Sequence, residues 1–445
     1  MQGLARVLLV TRARLARRDL IEGLPALGWP LALVDRPSVA IDYATKHALE
    51  AVIIDLTKSG PAALIEAAGL GLQLKAAASP KSLMIIAMAA TCPELPLEGL
   101  DHVMPAPLVP AQMASRLDAL ARLATAEDEI ALRAETFAAQ SHNMPRSSVA
   151  TGPYRVLIMA EPAPQVLALY NELSGRGAEV SASFNHHAGF DSLSRTRPDA
   201  VVLRADPGLE KAMTLAAAVR RNSAHYHLPI SLILTDEADP SPIEAMSKGM
   251  SDLIASDRSH AQIADQVLES ARLFRRIDKA QATLVNSTRS ELMDAATGLF
   301  TARLFASHVL GLNKSARRTH RPLSVCVLRV ADRKDTAKAR ASGALDKAMP
   351  DLGNMVGRLV RGQDTVARLA PDVFALALPA TNAARARLAA DRVAAVIGCT
   401  QFPAGYNQPH FSVDFDIGVA ELNAGETAGM ALERAASLAL QRRAS

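Results

Sequence analysis

The sequence predicts an α/β fold in which the N-terminal part of the chain forms two consecutive doubly wound domains. Its 445 residues exceed what one ordinary core accommodates, so several domains are expected. Short apolar runs alternate with helical patterns, as buried parallel strands do in such domains. Three of these runs recur further along the chain at an offset of 149 or 150 positions. The recurring segments are 6–10 with 155–159, 51–55 with 200–204, and 99–104 with 249–254.

Composition and charge exclude several classes of protein. A net charge of +4 without a dense Lys/Arg block predicts a solvated basic surface and no nucleic-acid site. Cys92, Cys326 and Cys399 lie far apart with no histidine at ligand spacing, so reduced thiols are expected instead of disulfides or zinc. The first apolar run is too short for a signal peptide, and no run reaches the roughly 18 residues of a membrane span. A cytoplasmic protein without a membrane span is therefore expected.

Both repeat copies resemble the receiver domains of response regulators, which have a flavodoxin-like fold. In that family an acidic pair holds Mg²⁺, an aspartate accepts the phosphoryl group and a lysine contacts it. The resemblance makes Asp55 the phosphoacceptor candidate of the first copy, but the acidic pair has become Thr11 and Arg12, and the lysine has become Ala106. A fixed cation at Arg12 disfavours Mg²⁺ there. The alternative is that Asp55 is simply a retained carboxylate paired with Arg12.

The second copy departs further from the receiver pattern. Its acidic pair is Ala160 and Glu161, its acceptor position holds Arg204 and its lysine position holds Ser256; only Thr235 matches. Phosphorylation by the family's chemistry is therefore excluded. We expect a degenerate adaptor domain that serves dimerisation or docking.

Linkers are predicted after each copy. A polar helix and then a loop rich in Ser, Pro and Gly follow the first copy. The last helix of the second copy runs on towards residue 290, and its apolar face packs either on its own domain or in an intermolecular coil. The predicted divisions are 1–125 for the first copy, 126–153 for the helix and linker, 154–275 for the second copy, 276–290 for the linker helix and 291–445 for a third domain.

The third domain resembles the GGDEF domain of diguanylate cyclases. Four motifs carry the resemblance, at 294–303, 323–328, 366–374 and 413–420. The resemblance implies a nucleotidyl-cyclase-like α+β fold. Two receivers followed by such a domain is the architecture of PleD-like regulators.

The residues at the family's catalytic positions have changed. A cyclase needs carboxylates to hold two metal ions, but the strand positions here are Arg329 and Ala331. In the hairpin Asp372 is retained, Val373 replaces a glutamate, and Pro371 cannot donate an N–H. We therefore expect a degenerate cyclase with no catalytic residues, no metal ligands and no need for Mg²⁺ or another catalytic cofactor. We also predict an Arg329–Asp372 ion pair in place of the metal.

The family's inhibitory site, which binds cyclic di-GMP, has its residues retained. Arg361-Gly-Gln-Asp364 stands five residues before the hairpin, as the family's RxxD motif does, and Arg392 matches a further arginine from a neighbouring helix. Arginine presents a planar fork to phosphate or guanine, and aspartate accepts guanine N–H groups. The alternative is an ordinary surface Arg–Asp pair. The pattern at 275–278 lacks the spacing to the hairpin, so we expect only a helix surface there.

These observations predict a non-catalytic cyclic di-GMP effector or scaffold that signals through protein contacts. A resemblance to the PopA type of regulator implies a polar scaffold that delivers cell-cycle regulators to a protease. A homodimer through the receivers is a further expectation. The alternatives are a response regulator controlled at Asp55, a diguanylate cyclase with residual activity, and a scaffold without a ligand.

Overall fold

The computed structural model describes residues 5–60, 62–79, 82–106, 108–145, 152–184, 186–205, 209–222, 225–234, 241–255, 257–405 and 408–441. Thr235, Ser256 and part of the predicted loop before residue 153 lie outside these residues. The chain divides into two compact units. The first comprises Met1–Ala124 and Ala150–Asp278, and the second comprises Thr125–Val149 and Lys279–Ser445.

The first unit contains two five-stranded sheets of one topology. In the first sheet, the order β2-β1-β3-β4-β5 is parallel throughout. Its strands are β1 (Val7–Val10), β2 (Leu31–Val34), β3 (Ala51–Asp55), β4 (Met84–Ala89) and β5 (His102–Pro105). The helices around it are α1 (Arg18–Ala26), α2 (Pro37–Lys46), α3 (Ala62–Ala78) and α4 (Pro110–Ala138).

The second sheet repeats this order as β7-β6-β8-β9-β10 and is also parallel. Its strands are β6 (Arg155–Met159), β7 (Glu179–Ser183), β8 (Ala200–Arg204), β9 (Ile230–Ile233) and β10 (Asp252–Ile254). Its helices are α5 (Pro164–Gly175), α6 (His186–Thr196), α7 (Leu209–Arg221), α8 (Pro242–Ser247) and α9 (His260–Ser287). The predicted pair of flavodoxin-like sheets is thus confirmed.

The repeat extends to the backbone conformation. Each copy reaches its fifth strand through a glycine, Gly99 or Gly249, and both have a φ of +100°. Other residue types rarely adopt that conformation. Gly99 also lies so close to the carbonyl of Ala68 that a Cβ would overlap with it. The offset detected in the sequence therefore corresponds to equivalent positions in two copies of one fold.

The two copies contact each other through buried polar groups. The carboxylate of Asp252 on β10 accepts from Arg116 on α4 at 2.8 Å and from Ser270 on α9 at 2.7 Å. The Glu269 carboxylate in turn accepts from the backbone N–H of Val103 at 3.1 Å. The apolar face of α9 packs inside the second copy, where Val267 is fully buried. Of the two predicted alternatives for this face, packing on its own domain is therefore the one observed.

The second unit contains a mixed five-stranded sheet in the order β11-β13-β14-β12-β15. Only the β11–β13 pairing is parallel. The strands are β11 (Phe300–Thr301), β12 (Leu323–Val330), β13 (Thr365–Ala370), β14 (Val373–Pro379) and β15 (Phe415–Glu421). The helices are α10 (Ala302–Thr319), α11 (Lys334–Ala341), α12 (Ala344–Leu359), α13 (Ala383–Gly398) and α14 (Ala428–Gln441).

Both faces of this mixed sheet are covered by helices. Alternate residues of its central strands point to opposite faces. Cys326 and Phe374 join the core formed with α12 and α13, whereas Ala375 joins the core formed with α10. The end of α4 also belongs to this unit, because the fully buried side chain of Phe137 packs in the same cluster as Phe305. Residues 125–138, most of the predicted polar helix, are thus part of a core.

No helix in the described part of the chain is both long and apolar enough to cross a membrane.

Candidate functional site

The Arg361–Asp364 segment forms a tight turn between α12 and β13 in the second unit. The backbone N–H of Asp364 donates to the carbonyl of Arg361 at 3.0 Å. In the opposite direction, the N–H of Arg361 donates to Oδ2 of Asp364 at 2.9 Å. The Arg361 side chain is exposed, while Asp364 is only 8% exposed. The turn therefore combines the buried carboxylate of Asp364 with the exposed side chain of Arg361.

The buried carboxylate of Asp364 is incompletely stabilised. Burial raises its pKa to about 6, and the hydrogen bond and charge of Arg361 only partly oppose this effect. The buried charge of Glu129 raises the pKa further, while Arg133 lowers it. A carboxylate in this state gains free energy from any additional donor that reaches it. The site is therefore suited to a ligand that presents N–H groups.

Arg392 on α13 reaches the start of the same turn. Its Nη2 donates to the carbonyl of Leu359 at 2.7 Å, two residues before Arg361, and its side chain is exposed. The structure thus joins Arg361 to Asp364 by a direct hydrogen bond and brings Arg392 to the adjoining residues. Arg392 contacts the last residue of α12, and Arg361 and Asp364 are bonded to each other in the turn that follows it.

Arg133 and Glu129 lie beside this turn, and neither residue was predicted from the sequence. Arg133 donates to the carbonyls of Gly362 and Asp364, both at 3.1 Å. In the sequence, the two residues form an i,i+4 Glu–Arg pair, which is the pattern of an exposed helix surface. Only their neighbours Leu132 and Phe137, which make one side of the helix apolar, hinted at burial.

The predicted Arg329–Asp372 ion pair is wrong. Asp372 pairs instead with Arg340 of α11, whose Nη2 lies 3.0 Å from Oδ2 of Asp372. The strand register explains the difference. Arg329 of β12 lies opposite Val373, so Asp372 continues the register opposite Val330, and neighbouring positions on a strand point to opposite faces of the sheet. Among the described residues, Arg329 forms no ion pair.

The remaining positions that the resemblance assigned to the metal site are Ala331, Val373 and Asp372, and only Asp372 has a side-chain oxygen. Ala331 is buried directly after β12, and its N–H donates to the carbonyl of Asp414 at 2.8 Å. Val373 begins β14 and has no side-chain oxygen. Asp372 lies in the turn before it, where its carbonyl accepts from Val330 at 2.9 Å. Within the described residues, no group of three or more His, Cys, Asp or Glu side chains is arranged to hold a metal ion.

Asp55 of the first unit lies at the end of β3, but Arg12 is not its partner. Arg17 forms the ion pair, at 2.8 Å from Oδ2, and the hydroxyls of Thr11 and Thr57 donate at 2.8 Å each. Arg12 instead reaches the carbonyl of Asp35 at 3.4 Å. The predicted Asp55–Arg12 pair is therefore wrong, because a short 3-10 turn at Leu15–Arg17 brings the later arginine to the carboxylate.

Both oxygens of Asp55 are engaged by this arrangement. Its side chain is 4% exposed. Burial acts to raise its pKa, but the hydrogen bonds from Arg17, Thr11 and Thr57 outweigh burial and lower it. Both carboxylate oxygens of Asp55 thus already accept hydrogen bonds from Arg17 and from the hydroxyl of Thr11 or Thr57. In the second copy, the equivalent strand β8 ends at Arg204, which has no carboxylate.

Comparisons with known proteins agree with this architecture. The family described as diguanylate cyclase, GGDEF domain, matches residues 291–444. The response regulator PleD of Caulobacter vibrioides is 22% identical over 293 residues, which is 65% of this chain and 64% of PleD. The chain thus aligns with slightly less than two thirds of the length of the curated relatives that it matches.

Two solved structures illustrate the matches to the C-terminal domain. The GGDEF domain of DgcB from Caulobacter crescentus, in complex with c-di-GMP, is 18% identical, covers 35% of this chain and 90% of its own, and gives a TM-score of 0.32. The diguanylate cyclase SiaD from Pseudomonas aeruginosa, in complex with its activator SiaC, is 22% identical, covers 35% and 59%, and gives a TM-score of 0.32. The chain therefore combines two flavodoxin-like parallel sheets with a C-terminal GGDEF domain, and it is similar to the response regulator PleD.

Proposed function

We propose that this protein is a non-catalytic effector that binds cyclic di-GMP at Arg361, Asp364 and Arg392. The observation that carries the proposal is the buried carboxylate of Asp364 in a turn that begins with the exposed Arg361, next to a second exposed arginine, Arg392, which is bonded to Leu359 just before that turn. Guanine N–H groups supply the donors that this carboxylate lacks. The arginine forks match phosphate oxygens or the N7 and O6 edge of guanine.

The absence of cyclase activity is the second part of the proposal. Two-metal phosphoryl transfer needs carboxylates that clamp both ions. At the corresponding positions this chain has the cation of Arg329, the methyl group of Ala331 and the isopropyl group of Val373. The remaining Asp372 is already paired with Arg340 at 3.0 Å. The positive charge of Arg329, at a position that corresponds to a metal ligand, repels a metal cation.

The protein contacts of the effector form the third part. The receiver-like copies lack a complete phosphorylation site, so docking to other signalling proteins and self-association are the roles left to them. Resemblance to the PopA type narrows these partners to cell-cycle regulators and a protease, at the cell pole. This narrower version depends on the resemblance alone.

Calorimetric titration with cyclic di-GMP tests the ligand site. We expect the parent protein to bind and Arg361→Ala to lose binding at least about tenfold, which is the worth of one charge-assisted hydrogen bond. Arg358→Ala is the matched control, because Arg358 is an exposed arginine one turn earlier in the chain, at the end of α12. Equal affinity in the parent and Arg361→Ala, or no binding by the parent, would refute the proposed site.

Incubation with GTP and either Mg²⁺ or Mn²⁺ tests the catalytic part separately. We expect chromatography to detect no cyclic di-GMP and no linear dinucleotide intermediate, because the carboxylates that position the ions are missing. Product that accumulates in proportion to protein concentration would instead support the alternative of a cyclase with residual activity.

A further inference from the structure

Arg133 is buried at the back of the Arg361–Asp364 turn and all of its donor nitrogens are engaged. Its side chain is 2% exposed. Nε donates to Glu129 at 2.7 Å, and Nη1 donates to the carbonyl of Leu284 at 3.1 Å and to Ser287 at 3.0 Å. Nη2 donates to the carbonyls of Gly362 and Asp364 and to the hydroxyl of Thr365. One guanidinium group therefore connects α4, the end of α9 and the turn.

The carboxylate of Glu129 extends this network on the other side. Its Oε1 accepts from Arg133, lies 2.9 Å from Nε2 of His308 and accepts from Thr365 at 3.0 Å. Glu129 is 1% exposed, so both charges of the pair have been removed from water. Burying such a pair is costly unless every group is bonded. Oε1 of Glu129 is bonded three times, whereas its buried Oε2 has no hydrogen-bond partner among the described residues. A displacement of Arg133 would break several of the network's bonds at once.

The turn has little freedom to move away from this network. A Cβ at Gly362 would overlap with the side-chain oxygen of Gln281 on α9, and the amide of Gln281 reaches that of Gln363 at 3.5 Å. Gln363 is 4% exposed. The backbone of the turn is thus held from behind by two helices, while the Arg361 guanidinium remains exposed on the other side.

We infer that Arg133 is a positioning residue for the ligand site, and that ligand binding at the turn is coupled to the docking of helix segment 125–138 in the C-terminal unit. Arg133 donates to the backbone carbonyl of Asp364, and the side-chain carboxylate of Asp364 accepts from the N–H of Arg361. A shift of the Asp364 carbonyl therefore also shifts the Asp364 carboxylate. The inference rests on the proposed ligand, cyclic di-GMP.

Such coupling acts in both directions. If docking of the helix segment orders the turn for the ligand, then the ligand must favour the docked segment by the same factor. Couplings between protein sites typically change affinity by about 5- to 150-fold. The helix in question, α4, begins at Pro110. Residues that belong to the first unit are therefore covalently continuous with the segment that Arg133 anchors.

The first test compares Arg133→Met with Arg116→Met by calorimetric titration with cyclic di-GMP. Both substitutions remove a buried arginine from α4 and leave a buried carboxylate, Glu129 or Asp252, without it. Only Arg133 contacts the turn. We expect Arg133→Met to weaken binding by about tenfold and Arg116→Met to leave it within about twofold of the parent. Equal affinities in the two variants and the parent would overturn the inference.

A pH series on the same variants separates positioning from a general loss of stability. Without the Arg133 cation, Asp364 is harder to ionise, so the pH at which binding is half lost should move upward in Arg133→Met. A merely structural loss would reduce the bound fraction at every pH without moving that midpoint. An unmoved midpoint with weakened binding would therefore also count against the inference.

A second measurement needs no substitution in the network. It tests the coupling between ligand binding and the docking of segment 125–138 even if Arg133→Met does not fold. Hydrogen exchange of the parent is followed with and without cyclic di-GMP, and Arg361→Ala serves as the control. We expect the ligand to slow exchange of the amides at 129–138 in the parent alone. Binding by the parent without that protection would overturn the coupling and leave the proposed function intact. No binding at all would overturn both.

Discussion

Lowering the pH from 7.5 to 5 is expected to weaken cyclic di-GMP binding about tenfold. The perturbation acts on Asp364, whose pKa burial raises to about 6. The ligand requires the ionised carboxylate, because a protonated carboxyl cannot accept guanine N–H groups with both oxygens. At pH 7.5 nearly every molecule is ionised, whereas at pH 5 roughly one in ten is. The apparent dissociation constant rises by the inverse of that fraction.

Titration calorimetry in buffers of different ionisation enthalpy measures both consequences. The affinity should fall on acidification, and binding at pH 5 should release close to one proton per ligand. Glu129 does not contribute over this interval: burial acts to raise its pKa, but the charges and hydrogen bonds of His308 and Arg133 lower it below the ordinary value. The charge-neutral variant Asp364→Asn should bind weakly with no such proton release.

Two results would refute this reasoning. Affinity that stays constant between pH 7.5 and 5 would mean that the carboxylate does not contact the ligand. The same pH dependence in Asp364→Asn would assign the titration to another group. Arg358→Ala is the control for general effects of charge on this surface, and it should follow the parent curve.

Four further outcomes are expected. In ligand-free protein, Asp364 holds its proton to higher pH when folded than when unfolded, so it lowers stability above pH 6 and this penalty disappears as the pH falls towards 4. Asp364→Asn should therefore raise the free energy of unfolding at pH 7 by up to about 3 kcal/mol, and by much less at pH 4, in urea denaturation; equal effects at both pH values would contradict this. Arg17→Ala should cost about 3 kcal/mol because it leaves the Asp55 carboxylate buried without its cation, whereas Arg12→Ala should change stability by under about 0.5 kcal/mol. Acetyl phosphate should give the parent no phosphoryl mass gain at Asp55, and a gain abolished by Asp55→Asn would favour phosphorylation control. Arg340→Ala should cost under about 1 kcal/mol, because 44% of that side chain is exposed and its pair with Asp372 is screened by solvent; a loss above 2 kcal/mol would show that the hairpin depends on this pair.

The sequence predicted the two parallel sheets because buried strands leave a strong local signal. A strand covered on both faces is apolar over its buried length, as residues 51–54 of β3 are, and a repeated run at one offset implies a repeated fold. The two tandem sheets follow from patterns within short segments, whereas the C-terminal fold was expected from four motifs that resemble those of a known family. Such patterns do not depend on which distant residue lies beside them.

The ion-pair partners of individual side chains left no such local signal in the sequence. Arg12 is adjacent to the first strand in the sequence, but Arg17 reaches Asp55 because the chain makes a short helical turn after that strand. The family motifs led us to expect Asp372 opposite Arg329. Arg329 lies opposite Val373 instead, and residues next to each other on a strand point to opposite faces of the sheet.

The sequence by itself thus determined the two repeated parallel sheets, and the motif that contains Arg361 and Asp364 was recognised by its spacing to the hairpin. Only the tertiary structure decided which charges lie beside them. Glu129 and Arg133 show why. Their i,i+4 spacing in the sequence is the same whether the helix face that carries them is exposed or buried. Burial is a property of the packed neighbours, Phe300 and Leu284 among them, and those residues lie more than a hundred positions away.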